Sequence, residues 1–261
     1  MPHPLNPGSW VLVFTSGVLC GFLNSIASSG SAITLPLLLA LGLPPAVANA
    51  TNRAAVLPGL LTALWRFQKA GAISWKLCLR LLPVFLLAAV LGAATATLLP
   101  MHDIRVLIDG ALLVALALVL LHPDRWLGQG SEAITQRRPR LRLQLLMAAV
   151  GLWTGLIVLD AATYLLVSLV LVGGLALPRA NAIKVVLLAA ATIASLILFS
   201  LKGAVVWQAA LPLMLGSTLG GWLGAGLALG TNARQWIYRL LIVALGLSAL
   251  HVLLSWWLRL P

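Results

Sequence analysis

Three ionisable residues, Arg53, Asp160 and Lys184, lie in stretches of sequence that are otherwise apolar. Placing such a charge at bilayer depth costs at least about 2.5 kcal/mol, so ionisable residues there mark binding sites and ion pathways by default. A cation near a helix N-terminus can, with the helix amides, replace the water around a small oxyanion. A carboxylate can take up a proton or pair with a cation. The three residues therefore indicate a buried polar site.

Part of the sequence around this site forms an internal repeat. The run from Gly42 to Ala50 returns as the run from Gly174 to Ala182, 132 positions later. The same spacing relates five further residues to their counterparts: Phe67, Gly71, Ala72, Trp75 and Gly92 return as Phe199, Gly203, Ala204, Trp207 and Gly224. Membrane transporters are commonly built from two repeats with the substrate site between them, so the duplication favours transport.

The candidate substrate-binding residues form two groups. The first follows the repeated Gly-Leu turn and consists of Asn49, Asn52, Arg53, Asn181 and Lys184. The second is a run of small polar residues: Ser28, Ser29, Gly30 and Ser31. Amides, hydroxyls, backbone N–H groups and cations all donate hydrogen bonds to an oxyanion. Both groups therefore suit an anionic substrate.

Each group also has a purely structural interpretation. A buried asparagine can cap a helix or bond a neighbouring helix, a contact worth about 0.6 kcal/mol in membranes. Arg53 and Lys184 can extend to the membrane surface and meet lipid phosphate. Small residues such as those at 28–31 can serve close helix packing alone. The sequence leaves both interpretations open.

Asp160 is the candidate for energy coupling, because it is the only acid in the middle of a long apolar segment. In this role it carries a proton, or it is the partner of Lys184 or Arg53. The alternative is a structural cap or a buried, hydrogen-bonded carboxylate. Only the proton-carrying role predicts that neutralising Asp160 abolishes coupling.

The composition places these residues in a membrane. The 261-residue chain is 61% hydrophobic and 8% charged, whereas soluble domains are roughly 25% charged. Apolar runs that can cross a hydrocarbon core of roughly 30 Å recur, and they lack the alternation of an outer-membrane barrel. We therefore expect an all-α, polytopic membrane protein. The net charge of +12 gathers in short connections, which favours membrane lipid as a partner and excludes nucleic acid.

We expect one membrane domain over residues 1–261, with repeat one at 9–122, a basic cytoplasmic linker at 123–141 and repeat two at 142–258. Each repeat begins with a long apolar segment. The first, from Trp10 to Leu43, would measure ~50 Å as a straight helix, and its small polar centre favours a break. Three transmembrane helices follow in each repeat, at about 46–66, 76–99 and 104–122, and at about 179–201, 207–230 and 235–258.

Basic residues set the expected orientation. Arg66, Lys69, Lys76 and Arg80 surround one connection, and the linker is still more basic, so we place both in the cytoplasm. The charges of repeat two favour no single orientation. We favour inverted repeats, because inversion lets two broken helices meet near the membrane midplane.

The order of these motifs resembles the sulfite exporter TauE/SafE family, also described as the toluene sulfonate uptake permease family. The resemblance covers nearly the whole chain. It rests on the small-residue break followed by Pro36, on the Gly-Leu-Pro turn at 42–44 with Ala-Thr-Asn at 50–52, and on the Gly-x-x-x-Trp hairpins at 71–75 and 203–207.

The resemblance implies an integral membrane permease for small oxyanions or organosulfonates, such as sulfite, sulfoacetate or related carboxylates. Lys184 matches a lysine that is common in the family's second repeat. The family usually has a glycine-rich break in both repeats, whereas here repeat one has Ser28 to Ser31 and repeat two has Val158 to Ala162 with Asp160 at its centre.

The prediction from sequence is a secondary transporter of a small anion, a multi-pass protein of a bacterial inner membrane that works by alternating access between two repeats. An anion channel and a non-transporting membrane assembly partner are the alternatives. The sequence has no nucleophile-and-base pair, no metal-ligand spacing and no nucleotide motif, so we expect no catalytic residue, metal or cofactor. A homo-oligomer is compatible with this prediction.

Overall fold

The computed structural model describes residues 7–26, 30–96, 116–117, 119–121, 123–128, 141–157 and 159–257. Within these ranges the chain is helical and contains no strand, which confirms the all-α prediction for this part. The helices are α1 (Pro7–Ile26), α2 (Ser31–Ala40), α3 (Pro45–Lys69), α4 (Trp75–Thr95), α5 (Pro123–Leu127), α6 (Leu141–Leu156), α7 (Ala161–Val167, continued by a π-helical turn Ser168–Val172), α8 (Leu177–Leu201), α9 (Trp207–Ala228) and α10 (Ala233–Trp257).

Four of the described helices are long and apolar enough to cross a membrane: α4, α8, α9 and the Ala233–Leu250 part of α10. Large apolar side chains such as Leu87, Leu201 and Leu247 point outward, with 69%, 80% and 64% of each residue exposed. Such surfaces are covered by lipid in a bilayer. The helix expected at 104–122 lies outside the described residues, apart from 116–117 and 119–121.

Both long first segments are broken, as the sequence predicts. The first helix of one half ends at Ile26 and the next begins at Ser31, while in the other half the break falls between Leu156 and Ala161. After the first break the chain folds back onto α1, where Gly30 packs against the backbone of Cys20 so tightly that a Cβ atom would overlap it. A glycine at position 30 is therefore needed for this close approach.

The helix bounds recur with the spacing of the sequence. The α3 and α8 helices are both 25 residues long, and their first residues, Pro45 and Leu177, are 132 positions apart. The turns that precede them contain Gly42 and Gly174, with φ of +85° and +64°. A glycine suits these turns because other residues rarely adopt positive φ.

Helices of one half of the chain pack against helices of the other half. The α1 helix lies along α9, and α6 lies along α4. Gly17 and Gly21 of α1 meet the backbone of α9, and Gly151 and Gly155 of α6 meet the backbone of α4, too closely for any side chain. Small residues let transmembrane helices approach in this way. The helix before each break is thus held by the other half of the chain.

Candidate functional site

Two long helices, α3 and α8, supply most of the candidate residues. Each has a proline in its first turn, where the missing N–H leaves no helical bond unmade. The two helices pack against each other. As a result Asn49, Asn52, Arg53, Asn181 and Lys184 are all buried, with at most 2% of each residue exposed.

The two repeated asparagines bond the ends of the broken helices. Asn49 Nδ2 donates to Leu156 O at 3.0 Å, and Asn181 Nδ2 donates to Ser25 O at 2.8 Å. The last carbonyls of a helix have no hydrogen-bond partner within the helix. The two asparagines therefore donate to carbonyl groups that would otherwise be buried without a hydrogen bond. The Oδ1 atom of Asn181 accepts no hydrogen bond from any described residue.

Arg53 joins three helices. Its Nη2 donates to Gly155 O of α6 at 2.6 Å, and its Cζ lies 5.2 Å from the centre of the Phe199 ring of α8. The side chain is fully buried, so it does not extend to the membrane surface. Its Nε and Nη1 atoms have no hydrogen-bond partner among the described residues. Because burial of an unpaired charge is costly, these donors call for an acceptor.

Asn52 presents a second donor of this kind. Its Oδ1 accepts a hydrogen bond of 2.5 Å from the Thr34 hydroxyl of α2. Its Nδ2 has no partner within the described part of the chain, and both residues are fully buried. The carbonyl end of this amide is therefore satisfied by the protein and the N–H₂ end is not.

Polar contacts continue from Thr34 into α1. The hydroxyl of Thr34 lies 3.6 Å from Cys20 Sγ, and Asn24 Nδ2 donates to the same sulfur at 3.4 Å. Asn24 Oδ1 accepts the backbone N–H of Gly30 at 2.9 Å, directly after the break. Cys20 thus belongs to a line of polar groups that joins α1 to α2.

The break itself contributes hydroxyls from both halves. Ser28 and Ser29 lie outside the described residues, so their predicted role stays a prediction. Ser31 begins α2, is buried, and its Oγ has no partner among the residues that the structure describes. Thr163, 132 positions later, is also buried with its Oγ1 unpartnered in the described chain.

Asp160 occupies the second break, directly before α7. It is buried, with 4% exposed, and has a φ of +57°, in the left-handed region that side chains other than Asn and Asp rarely adopt. Its backbone carbonyl accepts the N–H of Thr163 at 3.0 Å, but its side chain makes no capping hydrogen bond. The side-chain cap considered for Asp160 is therefore absent at this helix.

The family model described as sulfite exporter TauE/SafE matches residues 13–252. The chain belongs to this family. The match includes every candidate residue and confirms the family expected from the motifs. No solved structure matches the chain.

The chain is also similar to named proteins of several bacteria. A "Probable membrane transporter protein" of Haemophilus influenzae is 32% identical over 219 residues, which cover 82% of this chain and 83% of that protein. The "Probable membrane transporter protein ORF9" of Sinorhizobium sp is 28% identical, over 90% of this chain and 89% of its own. The "Probable membrane transporter protein YfcA" of Escherichia coli K12 is 26% identical, over 91% and 87%. These relatives and the apolar helices support a multi-pass protein of a membrane transporter family.

In this TauE/SafE chain several of the candidate residues carry donors that have no partner among the described residues. They include Nε and Nη1 of Arg53, Nδ2 of Asn52 and the hydroxyls of Ser31 and Thr163, beside the unpartnered acceptor Oδ1 of Asn181. Buried polar groups in native proteins are nearly all hydrogen-bonded, so a set of this kind suits a ligand or water rich in acceptors. A small oxyanion has that chemistry.

Sequence reasoning counts Thr34 among the hydroxyls that could bind an oxyanion, but it does not identify three further residues now seen at or beside the site: Cys20, Asn24 and Thr163. Cys20 and Asn24 are four positions apart and share one face of α1, a spacing that could have linked them. Thr163 is the repeat counterpart of Ser31, so the 132-residue offset could have identified it. The contact of Thr34 with Cys20 depends on the chain folding back, which no local pattern indicates.

Proposed function

We propose that this chain is a secondary transporter of a small oxyanion, such as sulfite, an organosulfonate or a related carboxylate, in a bacterial inner membrane. The observation that carries the proposal is the buried guanidinium of Arg53, whose Nε and Nη1 have no acceptor in the described chain. Hydrogen bonds from a guanidinium to an oxyanion are charge-assisted and strong, and the unpartnered Nε and Nη1 present N–H groups on two different edges of this guanidinium. Together with Asn52 and Lys184 it offers the donors that a desolvated anion requires.

Transport by alternating access between two inverted repeats is the second part of the proposal. It is supported by the 132-residue recurrence of helix bounds and by the packing of helices of one half against helices of the other half. Asn49 and Asn181 each bond the broken helix of the other half, which suits a site formed where two breaks meet. The linker at 123–141 is on the cytoplasmic side in this arrangement.

The first experiment measures transport by purified protein in liposomes. Uptake of sulfite, sulfoacetate, taurine, thiosulfate and acetate is compared for the unaltered chain, Lys184→Met and Lys69→Met. Lys184 is fully buried, whereas Lys69 is exposed at the end of α3 and lies over Trp65, so it is a matched control. We expect saturable uptake of at least one oxyanion, lost in Lys184→Met and kept in Lys69→Met.

Counterflow distinguishes the transporter from a channel. A transporter exchanges labelled substrate outside for unlabelled substrate inside, whereas a channel gives flux that does not depend on the opposite side. Transport of none of these anions, or equal transport by Lys184→Met, would contradict the proposed anion site. Flux without counterflow would replace the transporter by an anion channel.

A further inference from the structure

A line of buried polar groups runs through repeat one from the break to α3. It begins at the N–H of Gly30 and passes through the side chains of Asn24, Cys20 and Thr34 to Asn52. The four residues that contribute side chains are all buried, with at most 4% of each residue exposed. Such a line in a low-dielectric interior holds its members in one arrangement, because every reversed group leaves a hydrogen bond unmade.

The direction of the line follows from counting hydrogens. Thr34 has one hydroxyl hydrogen and two contacts, Asn52 Oδ1 at 2.5 Å and Cys20 Sγ at 3.6 Å. The Cys20 sulfur accepts from Asn24 Nδ2, and its own S–H meets Thr34 Oγ1 as an acceptor, so the thiol donates to Thr34 Oγ1 and the hydroxyl hydrogen goes to Asn52 Oδ1. Asn24 is fixed as well, because Gly30 N–H donates to its Oδ1 and leaves Nδ2 for the sulfur.

At the end of the line, Asn52 Oδ1 accepts the hydrogen of Thr34, and Nδ2 is the end of the amide that has no partner among the described residues. We propose that Asn24, Cys20 and Thr34 are positioning residues, which hold the Asn52 amide with its nitrogen towards the transported anion. This inference rests on the proposed oxyanion transport. With the amide reversed, Oδ1 would face the anion and repel it.

The corresponding positions of repeat two cannot form such a line through their side chains. The positions of Cys20, Asn24 and Thr34 are taken by Leu152, Leu156 and Leu166, and the position of Asn52 is taken by Lys184. A lysine needs no orienting partner, because its ammonium group has donors only. An asparagine has one donor end and one acceptor end, so repeat one must fix its orientation. Each half thus supplies N–H donors at the same position, one with charge and one without.

The transport test compares Thr34→Val, which keeps the shape and removes the donor, with Thr34→Ser, which restores the hydroxyl. The control is Thr192→Val, since Thr192 is buried on α8 and its hydroxyl has no partner among the described residues. We expect the KM for the transported anion to rise about tenfold in Thr34→Val, as expected for one hydrogen bond to a charged group, with the maximal rate within about twofold. Thr34→Ser and Thr192→Val should keep the KM of the unaltered chain.

An unchanged KM in folded Thr34→Val overturns the proposal, and so does a KM that rises equally in Thr192→Val. Should Thr34→Val fail to fold, Cys20→Ala removes the group that orients the hydroxyl and is expected to raise the KM in the same direction. A KM that is unchanged in folded Cys20→Ala would then overturn the proposal.

A second test needs no substrate. The chain has two cysteines, so a Cys78→Ala background leaves Cys20 as the only thiol for infrared spectroscopy of the S–H stretch. We expect the band to move to higher frequency in Thr34→Val, because the thiol loses its acceptor, and to stay in place in Thr192→Val. An unmoved band overturns the orientation even if anions are transported. If the unaltered chain binds no anion, the proposed function is overturned, and the role of Asn52 in anion binding with it. In that case a shifted S–H band would still support the direction of the hydrogen bonds in the line.

Discussion

Asn49 and Asn181 are 132 positions apart, and each donates its amide to the last turn of a broken helix in the other half of the chain, Asn49 to Leu156 O at 3.0 Å and Asn181 to Ser25 O at 2.8 Å. The two bonds are reciprocal: α3 holds the end of α6, and α8 holds the end of α1. Each half therefore fixes the break of the other. A movement of one half relative to the other must either carry the opposite break along or lose a buried hydrogen bond.

We expect Asn181→Ala to lower the stability of the folded protein. Its loss leaves Ser25 O buried without its donor, at a cost of about 1 to 3 kcal/mol. For a chain of this size the unfolding temperature should fall by roughly 2 to 4 °C per kcal/mol. Thermal unfolding in detergent measures this, with Gln208→Ala at an exposed position of α9 as the control. Equal unfolding temperatures for Asn181→Ala and Gln208→Ala would argue against the capping role.

Two glycines in helix interiors should respond to alanine with opposite signs. Gly220 of α9 meets the backbone of Val18, and a Cβ atom there would overlap it, so Gly220→Ala should destabilise the packing of α9 on α1 by roughly 1 to 3 kcal/mol. Gly246 of α10 has open space around it, so Gly246→Ala should be neutral or stabilise the helix by up to about 1 kcal/mol. Unfolding temperatures measured side by side test both signs. A stable Gly220→Ala variant would show that the two helices can separate at no cost.

Local features of the fold could be read from the sequence. Segment length and small polar residues predicted the break after Ile26, and the repeated Gly-Leu turn predicted where α3 and α8 begin. These features depend on residues close together in the chain. The π-helical turn Ser168–Val172 was not predicted, although it begins 132 positions after Pro36.

The site was harder to predict because its contacts join distant residues. Arg53 and Gly155 are 102 positions apart, and nothing in either local sequence indicates that they bond. Residue type identified Arg53 and Asn52 as candidates, since polar groups in apolar segments are costly. Which of their atoms the protein satisfies, and which it leaves for a ligand, depends on how the helices pack.

Arg53→Leu should separate stability from function. Arg53→Leu removes a buried charge, which is costly to bury, but it also leaves Gly155 O without its donor at a cost of about 1 to 3 kcal/mol, so we expect the variant to fold with an unfolding temperature close to that of the unaltered chain. Anion uptake should nevertheless be lost, and Arg53→Lys should not restore it, because a lysine lacks the planar fork that can bond Gly155 O and an anion together. Normal uptake by Arg53→Leu would assign this residue to structure alone.

Asp160→Asn tests the proposed coupling role of the carboxylate. Asparagine also tolerates the left-handed conformation at this position, so the exchange removes the charge without straining the backbone. If Asp160 carries the coupled proton, an imposed pH gradient accelerates uptake by the unaltered chain and has no effect on the variant, while counterflow at equal pH continues in both. Asp124→Asn, at an exposed position in α5, is the matched control and should keep the response to the gradient. A variant Asp160→Asn that still responds to the gradient would exclude this carboxylate as the proton carrier and leave it a role in holding the second break.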